Sequence, residues 1–236
     1  EFLEALKLRK DYAAAEFSLG LTFKMRNQMQ DAATHLERAA QLQPKTADVH
    51  ASLGIAYNAL GRQDDAIREL DKACELNGNN ATWQASLGTL YRQKKDYGRA
   101  VPHLEKAVQL DPKDANALSN LGVAYRQTNK IDEAQKYFQK ALELKPDSAD
   151  THFNLGVVYR RKNMTQEAIS EYQKAIQLDD RLAVAHYDLG VMYQQQKRNE
   201  EAIAEWNRYL DLKGQQDPKE AAIVRTHIKE LGGTPH

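Results

Sequence analysis

The sequence has almost no cysteine, no excess of either charge and no long apolar run. Cys74 is the only cysteine among 236 residues, which excludes an internal disulfide and a cysteine-based zinc cluster. Lysine plus arginine and aspartate plus glutamate number 33 each, so the overall charge gives no reason to expect nucleic acid or an acidic membrane as a partner. No apolar stretch approaches the ~20 residues that a membrane-spanning helix needs.

Sequence motifs of enzymes are also missing. The glycines form no phosphate-binding loop, and most of the abundant carboxylates fall at polar helix starts, where charge pairs are ordinary. We therefore expect a protein without a catalytic residue, a cofactor or a metal.

Six of the twelve glycines follow one another at intervals of 34 residues without a change of register: Gly20, Gly54, Gly88, Gly122, Gly156 and Gly190. An aromatic residue stands three positions after each of them: Phe23, Tyr57, Tyr91, Tyr125, Tyr159 and Tyr193. An alanine stands twelve positions after each of them: Ala32, Ala66, Ala100, Ala134, Ala168 and Ala202. Each period thus holds two apolar stretches with helical spacing, separated by a polar turn.

This pattern resembles the tetratricopeptide repeat, a helix–turn–helix unit of 34 residues. The resemblance covers nearly the whole chain and is strongest over 115–148. It implies an all-α, right-handed α-solenoid of six repeats, at 13–46, 47–80, 81–114, 115–148, 149–182 and 183–216. Small residues at the facing positions would let the two helices of a repeat approach closely.

The two ends differ from the repeats. Residues 1–12 fit the second helix of a preceding repeat, which favours a fragment of a longer array, although Glu1-Phe2 also fits a cloning remnant. Asp217-Pro218 predicts the start of a helix over 217–231 that caps the last apolar face. Residues 232–236 form a tail.

Some residues interrupt the pattern. His50, His152 and His186 share the position four residues before the glycine. No third ligand recurs beside them, so we interpret them as aromatic packing residues rather than metal ligands. Cys74 is interpreted as a small buried hydrophobe, and residues 77–80 predict a looser connection between two repeats.

The family resemblance implies that the first helices line a concave groove for a peptide or a partner segment. Counted from the glycines, the expected groove residues are Arg92, Asn120, Val123, Arg126, Asn154, Val157, Arg160 and Tyr187. An aliphatic floor beside an arginine stripe suits a partner with apolar anchors and acidic groups. Two other interpretations stay open: the arginines are solvated surface charge, and the valines pack between neighbouring helices.

We therefore predict a non-catalytic scaffold for a protein or peptide partner. One alternative is the substrate-recognition domain of an enzyme such as an O-linked sugar transferase, because Asn120 and Asn154 resemble two rungs of that family's asparagine ladder. Another is an assembly factor for bacterial pili or secretion systems. Self-association is a further expectation. The carboxylate-binding pattern of chaperone-associated members is matched at Asn120 alone and is not predicted.

Overall fold

The protein is described by a computed structural model over residues 12–236, in which every regular element is a helix and no strand occurs. The helices are α1 Ala13–Met25, α2 Met29–Leu42, α3 Ala47–Ala59, α4 Gln63–Leu76, α5 Ala81–Gln93, α6 Tyr97–Leu110, α7 Ala115–Gln127, α8 Ile131–Leu144, α9 Ala149–Arg161, α10 Thr165–Leu178, α11 Ala183–Gln195, α12 Asn199–Lys213 and α13 Pro218–Glu230. The all-helical, tandem-repeat fold class is confirmed.

The chain divides into two compact units, residues 1–124 and 125–236, and the border falls inside α7. In unit 1, the helices α1–α2, α3–α4 and α5–α6 pack as hairpins, and in unit 2 the helices α9–α10 and α11–α12 do so. We call the first helix of each repeat the A helix and the second the B helix. The B helix also packs on the next A helix at α2–α3 and α4–α5 in unit 1 and at α8–α9 and α10–α11 in unit 2.

The turn between the A and B helices has the same backbone form in every repeat. The residue seven positions after the repeat glycine has a φ between 58° and 75°: Asn27, Gly61, Lys95, Asn129, Asn163 and Lys197. This left-handed conformation closes the A helix, and asparagine and glycine adopt it at the lowest cost.

The repeat glycines lie where the B helix crosses the A helix. A Cβ atom built on Gly20, Gly54, Gly88, Gly156 or Gly190 would come within 2.5–2.8 Å of one side chain of the paired B helix. That side chain always stands sixteen residues after the glycine, and at all six repeats it is almost fully buried: Leu36, Leu70, Leu104, Phe138, Tyr172 and Trp206. The period of the glycines therefore marks the crossing point of each hairpin.

The last helix and the tail cover the end of unit 2. Asp217 caps α13 by accepting a hydrogen bond from the Glu220 amide, and α13 buries Ala221, Val224 and Ile228. The tail then folds back, so that the Asn207 side chain bonds the Thr234 carbonyl and the His236 amide. The helix predicted for residues 1–12 lies outside the described part of the chain except for Tyr12, which precedes α1.

Two predictions from single residues need correction. Cys74 is only half-buried rather than enclosed in the core, and burial together with the charge of Asp71 raises its thiol pKa to about 11. The connection at residues 77–80 is held by side-chain hydrogen bonds rather than loose: Asn80 caps α5 at the Trp83 amide, and the Gln84 amide group donates to the Gly78 carbonyl.

Candidate functional site

The predicted groove residues all lie on A helices, and most of them are half-buried. Arg92, Arg126 and Arg160 occupy the last turns of α5, α7 and α9, where the partly exposed side chains extend from the helix ends. Asn120, Asn154, Val123 and Tyr187 are also partly exposed. Within each unit, the surface of the A helices that carries these residues is called the A-helix face of that unit below.

Val157 is the exception, because it is only 4% exposed. Its side chain belongs to the packing between helices and offers no free surface to a partner. The interpretation of the aliphatic row as packing therefore applies at this position, whereas Val123 keeps part of its surface exposed.

In unit 1, the A-helix face contains a cavity of about 280 Å³ between α3, α5 and the first part of α7. Its polar lining includes Asn58, Ser86, Thr89, Gln93, Asn116 and Asn120, together with one carboxylate, Asp114. The Asn120 amide nitrogen donates to Thr89 Oγ1 at 3.0 Å, and the Thr89 hydroxyl donates to the Ala85 carbonyl at 2.7 Å. The Asn120 side-chain oxygen stays available as an acceptor for a bound main-chain amide.

In unit 2, the A-helix face is charged. Arg160 Nη1 lies 3.4 Å from Asp188 Oδ1 on α11, and Arg126 also acts electrostatically on this carboxyl group. Asp188 is only 8% exposed. Burial raises its pKa, while Arg160, Tyr172 and Arg126 act in the opposite direction. The structure thus brings Arg126 and Arg160 together around one buried carboxyl group.

Aromatic rings lie beside this charged cluster. Phe153 packs against Tyr172 with ring centroids 5.8 Å apart, and Tyr187 packs against Tyr209 at 5.5 Å. Tyr187 is therefore supported from the B helix beneath it. Asn154 donates its amide hydrogen to the Asp150 carbonyl of its own helix at 2.7 Å, which leaves its side-chain oxygen as the group that a partner can reach.

The histidines form polar bridges, which sequence reasoning missed. His50, His152 and His186 on A helices place Nδ1 at 2.5–2.7 Å from a glutamate of the paired B helix, nineteen residues later: Glu69, Glu171 and Glu205. Their Nε2 atoms contact main-chain carbonyls of the preceding turn at 2.9–3.1 Å. A carbonyl oxygen only accepts, so Nε2 is the donor of this contact, and Nδ1 lies within hydrogen-bond distance of the carboxyl group.

The same two repeat positions carry the reversed pair in repeats 1 and 3. There the B-helix residues His35 and His103 bond Glu16 and Gln84 of the A helix at 2.6 and 2.8 Å. The A-helix histidines are buried, as their interpretation as packing residues requires, but that interpretation did not include the hydrogen bonds of both ring nitrogens. The pattern was readable in the sequence, since a histidine at either position meets a glutamate or glutamine at the other.

Neither the bridges nor other side chains form a metal centre in residues 12–236, where no three histidine, cysteine or acidic residues cluster. Within the same range, no helix is both long and apolar enough to cross a bilayer.

Comparison with known families and structures identifies the repeats. Three models of the tetratricopeptide repeat match residues 25–90, 88–129 and 113–181. A search of curated protein sequences gives no match.

Solved structures with the same architecture are similar along most of their length. YrrB, a tetratricopeptide repeat protein with an unusual peptide-binding site, is 24% identical with a TM-score of 0.72 over 78% of this chain and 95% of YrrB. PilF of Pseudomonas aeruginosa is 22% identical with a TM-score of 0.71 over 94% and 98% of the two chains. MamA of Desulfovibrio magneticus RS-1 is 26% identical with a TM-score of 0.65 over 71% and 95%.

Proposed function

Because the chain belongs to the tetratricopeptide repeat family, we propose that it is a non-catalytic scaffold that binds a segment of another protein on its A-helix face. The observation that carries this proposal is the ion pair of Arg160 with the buried carboxyl group of Asp188 in unit 2, on which Arg126 also acts electrostatically. A guanidinium that is held beside a buried carboxyl group and stays partly exposed is positioned to meet an acidic group of a partner.

The A-helix face of each unit, taken by itself, offers groups that suit a partner segment with polar or acidic groups. The cavity of unit 1 offers the Asn120 oxygen and other amide groups to a peptide main chain. In unit 2, the half-exposed Arg160 guanidinium keeps donors that a partner carboxylate can use. The peptide-binding site of YrrB is consistent with this use of the fold.

The lack of catalytic activity is supported by the state of the histidines. In the three A-helix histidines both ring nitrogens are held by a glutamate and a main-chain carbonyl. None of them is therefore free to act as a general base.

The test compares two charge-matched double variants of the intact protein. We expect Arg126→Glu with Arg160→Glu to lose the partners that the wild type captures from a lysate of its own source, as identified by mass spectrometry. Arg68→Glu with Arg99→Glu changes the same charge on exposed positions of the B helices α4 and α6 and should retain them.

Circular dichroism of both variants should match the wild type. Because a glutamate at position 160 would face Asp188, Arg126→Gln with Arg160→Gln serves as the milder version. If both the glutamate and the glutamine double variant of Arg126 and Arg160 captured the same partners as the wild type, the proposal would be contradicted.

A further inference from the structure

Asp188 is chemically exceptional among the equivalent residues of the repeats. Two positions before the glycine, the other five repeats carry Ser18, Ser52, Ser86, Asn120 and Asn154, all uncharged. Asp188 is the one ionisable residue in this row, and it is 8% exposed. A buried carboxylate destabilises a fold unless it is paired, so a packing role alone would be met better by serine or asparagine.

The pairing of Asp188 is incomplete. Its closest cation is Arg160 of α9, with a single contact of 3.4 Å instead of a bidentate pair. The Tyr172 hydroxyl of α10 is buried beside the carboxyl group and lacks a hydrogen bond of normal geometry. Arg126 of α7 is the third group that acts on the carboxyl group. The cluster therefore contains a buried carboxyl group and a buried hydroxyl with hydrogen-bonding capacity to spare.

The position of Asp188 places it in competition with a partner. Arg160 is 38% exposed on the A-helix face, and it is the residue through which we propose that unit 2 recognises an acidic group. Any partner carboxylate must share this guanidinium with Asp188 or displace it. Two carboxylates on one guanidinium also repel each other across a poorly solvated site.

We propose that Asp188 is a specificity-determining residue, a competing carboxylate of the protein itself that holds Arg160 in the free state and weakens the binding of acidic segments. This inference rests on the proposed function of the A-helix face.

The competition depends on pH in a defined direction. Burial raises the pKa of Asp188 above the usual aspartate range, so Asp188 takes up a proton at a higher pH than an exposed aspartate does. Protonated Asp188 no longer holds Arg160. Loss of the Asp188 charge on acidification should therefore favour the binding of an acidic segment for as long as the segment itself stays anionic.

The experiment uses the full chain and a defined probe. The probe is a fluorescein-labelled, N-acetylated and C-amidated peptide of alternating leucine and glutamate, with a matched peptide of leucine and glutamine. Fluorescence anisotropy over a series of pH values from neutral to acidic, at constant ionic strength, compares the wild type with D188N, R160Q and the double variant. Asparagine occupies the equivalent position in two other repeats, so D188N should fold, as thermal unfolding will verify.

We expect D188N to bind the glutamate peptide roughly tenfold more tightly than the wild type at neutral pH. This gain in affinity should shrink as the pH falls and Asp188 of the wild type becomes protonated. D188N should have no effect in the R160Q background or on the glutamine peptide. Equal affinities of D188N and wild type, with the wild type still preferring the glutamate peptide, would overturn the competitor role and leave the proposed groove intact.

A second measurement does not need a peptide. The ¹³C carboxyl signal of Asp188 should titrate at a higher pH in R160Q than in the wild type, because the favourable charge is gone. An unchanged midpoint would show that Arg160 does not hold Asp188 in solution, which overturns the inference by itself. A third outcome is that the midpoint shifts as expected but the wild type binds the glutamate and glutamine peptides equally well. This would reject the recognition of acidic groups by the A-helix face, and with it the competitor role that rests on it.

Discussion

At the scale of single residues, the protein is organised by the side chain that sits over each repeat glycine. In repeats 1 to 3 this side chain is leucine, and in repeats 4 to 6 it is Phe138, Tyr172 and Trp206. The missing Cβ of the glycine makes room for all of them, although a glycine inside a helix costs about 1 kcal/mol relative to alanine. Tyr172 packs over Gly156, and its hydroxyl acts on Asp188. The side chain that fills the space over the glycine is therefore also part of the charged cluster.

A glycine-to-alanine pair tests the crossing. A Cβ on Gly190 would lie 2.5 Å from Trp206 Nε1, which donates to the Tyr187 carbonyl at 3.2 Å. We expect Gly190→Ala to lower the free energy of unfolding by about 1–3 kcal/mol, because the rigid indole must move. Gly98, in the first turn of α6, has only Asp96 Oδ1 within 4 Å, at 3.8 Å.

Gly98→Ala should therefore raise the stability by up to about 1 kcal/mol. Urea denaturation followed by circular dichroism measures both changes. Similar effects of the two substitutions would show that helix propensity, and not the crossing contact, decides them.

At the scale of elements, a hydrogen bond of a tyrosine hydroxyl joins each repeat to the one before it within a unit. Tyr57 on α3 donates to Glu37 of α2 at 2.8 Å, and Tyr91 on α5 donates to Asp71 of α4 at 2.6 Å. In unit 2 the direction is reversed, since Gln139 and Gln173 donate to the hydroxyls of Tyr159 and Tyr193. The aromatic residue three positions after the glycine thus connects helices of different repeats, in addition to filling space.

The bond of Tyr57 predicts a loss of stability at high pH. Burial first, and the hydrogen bond to Glu37 second, raise the pKa of Tyr57 to about 12. Because this value lies above that of the unfolded chain, the stabilisation is complete below about pH 10 and disappears as the pH rises towards 12. Tyr57→Phe should lower the free energy of unfolding by about 1 kcal/mol at neutral pH. The decrease in stability that ionisation of Tyr57 causes at high pH should be absent from this variant.

Chemical denaturation at several pH values, with wild type and variant compared at each, isolates the contribution. Tyr12→Phe is the control, since Tyr12 is 47% exposed and should change neither the stability nor its slope with pH. An equal alkaline loss in wild type and Tyr57→Phe would contradict the assignment.

At the scale of the whole molecule, each unit buries its core between neighbouring helices, so the ends need cover. At the end of unit 2, α13 supplies Ala221, Val224 and Ile228, and His227 packs against Trp206 with ring centroids 5.5 Å apart. Burial, together with the hydrogen bond that the Tyr209 hydroxyl donates to Glu220, raises the pKa of Tyr209 to about 12. Polar and apolar contacts therefore both join this helix to α12.

Two truncations test this role of α13. Removal of everything after Gln216 should reduce the stability of unit 2 by at least about 3 kcal/mol, given the two or three apolar side chains that lose their contacts. It should also cause concentration-dependent association, visible in sedimentation velocity, because Trp206 and its neighbours become exposed. Removal after Leu231 keeps α13 and should have a much smaller effect. A stable monomer after the first truncation would contradict the capping role.

Sequence reasoning identified the family and the fold class because the spacing of glycine, alanine and aromatic residues is dictated by helix crossing, which depends on size alone. It also selected Arg126 and Arg160 as neighbours on one surface, since residues at equal positions of adjacent repeats come together. What it did not foresee at Cys74, Val157 and the histidines concerns side-chain surroundings. The burial of a side chain depends on how much of it the neighbouring repeat covers. The spacing of residues in the sequence does not give that coverage.

The sequence by itself thus determined the helices, their order and the rows of residues that share a surface, because these follow from a period of 34 residues. Only the tertiary structure decided the polar pairs: His152 with Glu171, Tyr57 with Glu37, and Arg160 with Asp188. Hydrogen bonds and ion pairs depend on a few tenths of an ångström and on the exclusion of water. Those conditions arise only when helices that are distant in the chain pack side by side.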